Sequence, residues 1–409
     1  MQCGLLGAKL AHSYSPQIHQ LLGSYSYRLF EVQEDHIPQF LKNTDLKGLN
    51  VTIPYKKTVI PYCQELSPQA QKIGAVNTIV RREDGTLIGH NTDYFGFLSM
   101  AVKSGLSFEG KKVLVLGSGG ASNTVCTVLK ELHANYVVIS RNGANNYSNL
   151  HLHQDCAIIV NATPVGMYPN TGVSPVDLKL FPKLEGVLDL IYNPAKTKLL
   201  LDAEDRHLIA MNGLWMLVAQ AKESAQWFTG HHIDDSHIER IYSILQTQMQ
   251  NIILVGMPGC GKSSIGRALA ETLGRCFVDA DDEIAKTAGM SIPTIFEQSG
   301  EAGFRAIETQ VLREVTAKSG LVIATGGGCV TQGENLPLLR QNSTVIWIQR
   351  ALEDLPVDGR PLSQANKLSE MYKKRRPLYE TAADWMIENN GSIQDAANRI
   401  LEKLTGDRK

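Results

Sequence analysis

Hydrophobic residues in this chain fall into short runs, each followed by a stretch of helical spacing. Lys112-Val-Leu-Val-Leu-Gly117 is apolar at four consecutive positions, as expected of a strand buried on both faces. Behind it Val125, Leu129 and Leu132 repeat at the spacing of one helix face. The figure recurs where Asn251-Ile-Ile-Leu-Val-Gly256 precedes Ile265, Leu269 and Leu273. Further strands are expected at Tyr136 to Ile139, after Cys276, at Ile323-Ala-Thr325 and up to Gln349. This alternation predicts an α/β chain whose parallel or mixed sheets are covered by helices. Ile238, Ile241, Tyr242, Leu245 and Met249 give one more helical stripe, with Ser236 and Glu239 reading as its capping box.

Composition narrows the class. The 409 residues, 43% apolar and 20% charged, suffice for two or three globular domains. Forty basic residues balance forty-one acidic ones, so no overall field favours nucleic acid or a membrane surface, and neither is expected as a partner. No apolar run approaches twenty residues and no basic-then-apolar leader opens the chain, so the expected location is cytoplasmic. The seven cysteines form no C-x-x-C pair and no zinc spacing, and read as free thiols. His231-His232 reads as a solvated turn. Nothing in the sequence signals an oligomeric state.

Two glycine turns carry candidate chemistry. Gly256-Met-Pro-Gly259-Cys-Gly261-Lys262-Ser263 is a complete G-x-x-x-x-G-K-S phosphate loop between an expected strand and helix. Its backbone N–H groups and the helix N-terminus point at phosphate, Lys262 serves the β- and γ-phosphates of ATP, and Ser263 is a ligand for Mg²⁺, with Ser264 beside it. The other turn is Gly117-Ser-Gly119-Gly120-Ala121-Ser122, where serine replaces the third glycine of a dinucleotide fingerprint. The next strand ends in Ser140-Arg141, where an NAD site usually carries an acidic residue. Arg141 suits the 2′-phosphate of NADP, or is a surface arginine at a strand end.

Polar clusters upstream read separately as turn chemistry: His12-Ser-Tyr-Ser-Pro16, Asn50-Val-Thr-Ile-Pro-Tyr-Lys56, Gly74-Ala-Val-Asn-Thr78 and Gly89-His-Asn-Thr-Asp93. Together with Asn161-Ala-Thr-Pro-Val-Gly-Met167, Asp189-Leu-Ile-Tyr-Asn-Pro194 and Gly213-Leu-Trp-Met-Leu-Val-Ala-Gln220, they resemble the shikimate dehydrogenase family over residues 1 to about 248. The resemblance implies that Ser13, Ser15, Thr52, Asn77, Asp93 and Gln220 line a site for 3-dehydroshikimate. It makes Lys56 and Asp93 the catalytic pair, and places Gly117, Gly119, Gly120 and Ala121 on the pyrophosphate and Ser140 and Arg141 on the adenosine phosphate of NADP(H). The family's second cation beyond the arginine is here Asn145, which predicts a reduced margin of NADP over NAD. Ring selectivity between shikimate and quinate stays open.

The second half adds Asp279 and Asp281, expected on one face at a strand end, then Ser299-Gly-Glu-Ala-Gly-Phe-Arg305-Ala-Ile-Glu308, the Gly326-Gly327-Gly328 turn, Gly359-Arg360, and Arg375-Arg-Pro-Leu-Tyr379. These resemble shikimate kinase from about residue 251 to the C-terminus. The resemblance implies Asp279 in the Mg²⁺ shell through water, Asp281 on the attacking hydroxyl, and Arg305 and Arg375 on the substrate carboxylate. Gly326, Gly327 and Gly328 then approach the ring, and Arg360 in a lid joins Lys262 on the transferring phosphoryl group. Taken alone, the acidic pair also reads as a helix start and Lys373-Lys-Arg-Arg376 as a solvated helix face. Residues 350–359 form a short lid, which puts coverage of the adenine in question.

The expected organisation is a substrate-binding α/β domain at 1–100 completed by helices at about 213–248, a Rossmann domain at 101–212, and a phosphate-loop kinase domain with a central parallel sheet at 251–409. The expected function is bifunctional: reduction of 3-dehydroshikimate by NADPH, then phosphorylation of shikimate by ATP and Mg²⁺, toward chorismate. The rival reading is a non-catalytic metabolite sensor built from the same folds.

Overall fold

The structure, a computed structural model, describes residues 1–10, 13–355 and 365–406. Three sheets organise them. The first contains β1 (Gln2–Gly7), β2 (Ser26–Glu31), β3 (Gly48–Val51), β4 (Glu65–Leu66), β5 (Thr78–Arg81) and β6 (Leu87–His90) in the order β2-β1-β3-β5-β6-β4. It is mixed: β2, β1 and β3 run parallel, and β5 pairs antiparallel with both β3 and β6.

The second sheet holds β7 (Lys112–Leu116), β8 (Asn135–Ile139), β9 (Ile158–Asn161), β10 (Gly186–Asp189) and β11 (Ile209–Met211), all parallel, in the order β11-β10-β9-β7-β8. The chain leaves β7 to one side for β8 and returns on the other for β9. The turn after β7 therefore opens at the switch point where such sheets take ligands. The third sheet holds β12 (Asn251–Val255), β13 (Phe277–Asp279), β14 (Val322–Ala324), β15 (Ser343–Gln349) and β16 (Trp385–Glu388), again all parallel, in the order β13-β14-β12-β15-β16. All five residues of β12 are buried, as its unbroken apolar run requires of a central strand covered on both faces. Edge strand β8 instead exposes its first residues.

By contact, the chain divides into two units, Met1–Tyr192 with Asp202–Leu245, and Asn193–Leu201 with Gln246–Lys409. Within the first, the helices Asp93–Lys103 and Leu214–Thr229 pack at close range. A Cβ on Gly96 would lie 2.8 Å from the Met216 carbonyl oxygen and 2.9 Å from the Gln220 Cβ. Only glycine permits this approach, which brings Asp93 and Gln220 to neighbouring positions.

The helix Ser236–Met249 departs from its expected cap. Ser236 is already inside the helix, and Asp234 accepts from its N–H at 2.9 Å. Hydrogen bonds from the Ser236 side chain and N–H hold the Asp234 carboxyl below its ordinary pKa. Glu239 reaches sideways to Lys103 at 2.8 Å instead of back to the helix start. An aspartate two residues upstream competes better for the free N–H because it is ionised.

The first unit also buries histidine. His19, 1% exposed, lies flat on Tyr27 with centroids 3.9 Å apart, and its Nδ1 is 2.6 Å from the Tyr25 hydroxyl. Burial lowers its pKa to about 3, against a weaker upward pull from Asn50. Burial likewise takes His90, stacked on Trp227, down to about 4. The unfolded chain takes up these protons near the ordinary histidine pKa and the folded chain does not. The stability they confer is complete above about pH 6.5 and is lost as pH falls from there toward 3 to 4. At pH 4.5 the loss is roughly 2–3 kcal/mol per buried histidine. All eleven histidines of the chain precede residue 238. Denaturant unfolding followed from pH 7 to 4.5 is therefore expected to show the first unit losing stability faster than the second, and a parallel loss in both would refute the assignment to His19 and His90.

Candidate active sites

In the first unit, the bend after β3 carries Lys56 and the start of the helix after β6 carries Asp93. Their side chains meet at 2.5 Å, Nζ to Oδ2, with 28% and 15% of each exposed. The pair is half-buried, so each charge is partly desolvated yet open to a ligand. Thr52, at the end of β3, is tied to β1 through its N–H and the Leu6 carbonyl at 2.9 Å. Asn77, 2% exposed, accepts from the Thr92 N–H at 2.7 Å and donates to the Thr92 hydroxyl at 3.1 Å, fixing the residue before Asp93. Gln220 reaches the same place from the helix Leu214–Thr229, its Oε1 being 3.5 Å from Asn77 Nδ2. Ser15 donates its N–H to the Ser13 hydroxyl at 3.3 Å. Asn50, Thr78, Thr92 and Ser224 form a hydroxyl and amide network beneath these residues, and no sequence motif marks any of the four for a role.

The turn after β7 is built for close approach. Gly117 has φ +103°, and a Cβ there would lie 2.9 Å from Thr163 Cγ2. Gly119 and Gly120 face open space at the start of the helix Gly120–Glu131, with Ala121 exposed beside them. Ser122, the replaced glycine, is buried at 1% and packs inward. An accessible helix N-terminus with unobstructed glycine fits a pyrophosphate. Ser140 is half-buried and Arg141 exposed at the end of β8. Asn145, at the position of the expected second cation, closes the local turn: its carbonyl accepts from Ser140 N–H at 3.1 Å and its Oδ1 lies 3.1 Å from His153 Nε2.

In the second unit the phosphate loop follows β12. Gly256, Gly259 and Gly261 have φ of +145°, +82° and +100°. A Cβ on Gly256 would come within 2.3 Å of the Ile348 carbonyl oxygen. Lys262 is 7% exposed and donates to the carbonyls of Gly256 and Met257, both at 3.0 Å, so its ammonium rests on its own loop. Ser263 donates to Asp279 Oδ2 at 2.6 Å, while Ser264 is exposed. A hydroxyl and a carboxylate in contact beside a phosphate loop are the hard oxygen donors that suit Mg²⁺ when phosphates complete its shell.

Asp279 and Asp281 do not share a strand face. β13 ends at Asp279, which caps the helix Ala280–Ala288 and accepts from the Asp281 N–H at 3.1 Å. Asp281 belongs to the first helical turn. Tertiary packing nevertheless turns it to the glycine-rich turn, since a Cβ on Gly326 would lie 2.9 Å from Asp281 Oδ1 and equally from Glu308 Oε1. Gly327 packs on Pro258 of the phosphate loop and Gly328 on the Arg305 guanidinium. Both glycine turns and the acidic helix start therefore meet at one end of the sheet.

Arg305 follows a break at Gly300 (φ +64°) within Ile292–Thr316. It donates to Glu308 at 2.7 Å and Glu301 at 3.2 Å, with 9% of its side chain exposed against 1% for Glu308. Burial opposes the Arg305 charge, but the two carboxylates outweigh it and raise its pKa. Burial raises the pKa of Glu308 despite Arg305. Arg375, 8% exposed, donates to the Gly327 carbonyl at 3.1 Å, and the Tyr379 hydroxyl donates to the same oxygen. Its neighbours Lys373, Lys374 and Arg376 are exposed, so only one of the four basic residues turns inward. Glu308 and Tyr379 were quoted in motifs but given no role; their i+3 and i+4 spacing from the two arginines was the available signal. Arg360 lies outside the described residues.

A family model described as "Shikimate dehydrogenase substrate binding domain" matches residues 5–79, and one described as "Shikimate kinase" matches residues 258–405. A shikimate dehydrogenase (NADP⁺) of Clostridium perfringens is 38% identical over 266 residues, covering 59% of this chain and 97% of that protein. The chain belongs to the shikimate dehydrogenase family, with a shikimate kinase domain joined behind it. The solved shikimate dehydrogenase 1 of Peptoclostridium difficile is 38% identical, covers 60% of this chain and 97% of its own, and superposes with a TM-score of 0.55. That of Thermus thermophilus, solved with NADP(H) and shikimate, is 31% identical, covers 59% and 98%, and has a TM-score of 0.54.

Two outcomes follow from the geometry. With Arg141 proposed as the partner of the 2′-phosphate, Arg141→Ser is expected to weaken NADP⁺ binding about tenfold in direct titration, with NAD⁺ unchanged. Glu308→Ala leaves the buried Arg305 charge with only the exposed Glu301, and is expected to lower the stability of the second unit by roughly 3–5 kcal/mol in denaturant unfolding.

Proposed function

We propose that this chain performs two consecutive steps of the shikimate pathway: its first unit reduces 3-dehydroshikimate to shikimate with NADPH, and its second phosphorylates shikimate at O3 with ATP and Mg²⁺. The product, shikimate 3-phosphate, leads on to chorismate and the aromatic amino acids. The observation that carries the reading is the half-buried Lys56–Asp93 pair in one unit together with the Lys262, Ser263 and Asp279 cluster in the other. We place the substrate-binding part at 1–100 with about 213–248, the Rossmann part at 101–212 and the kinase part at 251–409, a division that the three separate sheets support.

Reducing a ketone builds negative charge on its oxygen, and an ammonium held beside that oxygen stabilises the charge and delivers the proton. Lys56 has that role, with Asp93 fixing its position and accepting from the neighbouring substrate hydroxyl. Ser13, Ser15, Thr52, Asn77 and Gln220 bind the carboxylate and ring hydroxyls. Gly117, Gly119, Gly120 and Ala121 would hold the pyrophosphate of NADP(H) and Ser140 and Arg141 its adenosine phosphate, and the cofactor would supply the hydride.

In the second unit Arg305 and Arg375 hold the substrate carboxylate, and the Gly326 to Gly328 turn lies against the ring. Asp281 takes the proton of the attacking hydroxyl. Gly256, Gly259, Gly261, Lys262, Ser263 and Ser264 hold the nucleotide phosphates. Lys262 leaves its loop carbonyls to do so, exchanging two neutral acceptors for an anion. ATP with Mg²⁺ provides the phosphoryl group and neutralises its charge. Arg360 is placed on the same group by its motif. We assign the protein to the cytoplasm, where its seven free thiols stay reduced; among the described residues no helix is long and apolar enough to cross a membrane.

The test is one purified protein with 3-dehydroshikimate and NADPH, with and without Mg-ATP, following NADPH oxidation and shikimate 3-phosphate. Oxidation in both conditions and phosphorylated product only with ATP are expected. Lys56→Ala is expected to lower the reduction at least about 10²-fold while phosphorylation of added shikimate persists. Lys262→Ala is expected to do the reverse, by a factor of roughly 10²–10³. Binding of all ligands without turnover would favour a sensor.

A further inference from the structure

Beneath the first site three hydroxyls close a triangle. Thr78 and Thr92 are 3.1 Å apart, and each is 3.0 Å from Ser224. All three are buried, at 0%, 2% and 0% exposure, so no solvent molecule replaces a lost partner. Ser224 stands at its centre of traffic. It donates to the Gln220 carbonyl at 2.9 Å and accepts from Asn50 Nδ2 at 2.8 Å, and Asn50 in turn accepts from the Tyr27 hydroxyl at 2.7 Å.

Counting protons shows why the arrangement is directional. A hydroxyl has one proton and two lone pairs. With the Ser224 proton on the Gln220 carbonyl and one lone pair filled by Asn50, the other receives a threonine hydroxyl. Thr92 accepts from Asn77 Nδ2, and its oxygen is 3.4 Å from Gln220 Oε1. Thr92 is the residue before Asp93, and Asn77 and Gln220 face the proposed substrate. Ser224 thus joins the strands that carry Asn50 and Thr78 to the helix of Gln220 and to Thr92, beneath three proposed site residues.

We infer that Ser224 is a positioning residue for the reduction, acting through Thr92 on Asp93 and through its own helix on Gln220. This rests on the dehydrogenase reading above. Without the Ser224 oxygen, Asn50 Nδ2 and a threonine proton lose their shorter acceptor and turn toward the ones that remain, Thr78 Oγ1 for Asn50 and Asn77 Oδ1 or Gln220 Oε1 for the threonines, which shifts the side chains at the site. Among the described residues the network's hydrogen bonds run to Tyr27, Asn77 and Gln220, and none runs to the glycine turn or Arg141.

The experiment is steady-state kinetics of the full chain for Ser224→Ala, Thr78→Val and Thr78→Ser. For Ser224→Ala, kcat is expected to fall roughly tenfold and KM for 3-dehydroshikimate to rise several-fold, as for a small displacement of reacting groups. KM for NADPH stays within twofold, and so does the kinase activity of the same molecule. Thr78→Val follows in the same direction, and Thr78→Ser, which restores the hydroxyl, stays near wild type. Should Ser224→Ala fail to fold, the Thr78 pair carries the test alone. Ser224→Ala or, where it does not fold, Thr78→Val within twofold of wild type overturns the inference. So does a fall in kcat with every KM unchanged and matched by a lower folded fraction, or Thr78→Ser as impaired as Thr78→Val. A wild-type chain that does not reduce 3-dehydroshikimate overturns the functional reading instead.

Discussion

A polar group removed from water must find its partner inside the protein, and both sites are shaped by that requirement. The Arg305 guanidinium is held where solvent barely reaches it because Glu308, one helical turn away, supplies a carboxylate. The Lys262 ammonium is buried because the phosphate loop curls its own carbonyls toward it. Asn77 and Thr92 satisfy each other twice, and the Thr78 and Ser224 hydroxyls below them are bonded by Asn50, Asn77 and the Gln220 carbonyl. In each case the group belongs to a proposed ligand site, and at the Arg305–Glu308 pair the matching is incomplete, with Arg305 Nε and Glu308 Oε1 buried without a hydrogen-bond partner among the described residues. Partners of this kind hold Arg305, Asn77 and Thr92 in place before anything binds, which lowers the ordering cost of binding, whereas Lys262 must exchange its loop carbonyls for phosphate.

The two units reach this arrangement from different sheets. In the second unit every strand is parallel, so the turns that follow β12, β13 and β14 emerge at the same end, and the phosphate loop, the acidic helix start and the glycine turn meet without long connections. The parallel sheet of the first unit offers its glycine turn at a switch point in the same way. Its mixed sheet works differently. There the antiparallel β3, β5 and β6 bring Asn50, Thr78 and His90 into direct register, and two helices close over them through the missing side chain of Gly96.

Much of this was legible in the chain. The buried runs at Lys112 and Asn251 became β7 and β12, and the glycines of the phosphate loop, Gly256, Gly259 and Gly261, adopted positive φ, because each needs only local information: an apolar run, a glycine, a helical stripe. The Lys56–Asp93 pair was named from motifs 37 residues apart, and the structure joins them. Local competition was harder to read. Asp234 displaced Ser236 as a cap, and Asp279 ended its strand two residues before Asp281, because several acceptors lay within reach of the same N–H groups.

The sequence by itself determined the order of strands and helices, the two phosphate-binding turns and which residue types stand ready for chemistry, since those follow from periodicity and backbone preference within a few residues. Tertiary structure alone decided which of the polar residues are buried, which of four neighbouring cations turns inward, and that Ser224 lies against Asn50, 174 positions earlier in the chain. Hydrogen-bond partners of that kind are set by the meeting of distant strands and helices, and a side chain carries no mark of the neighbour it will meet until the sheet has placed them together.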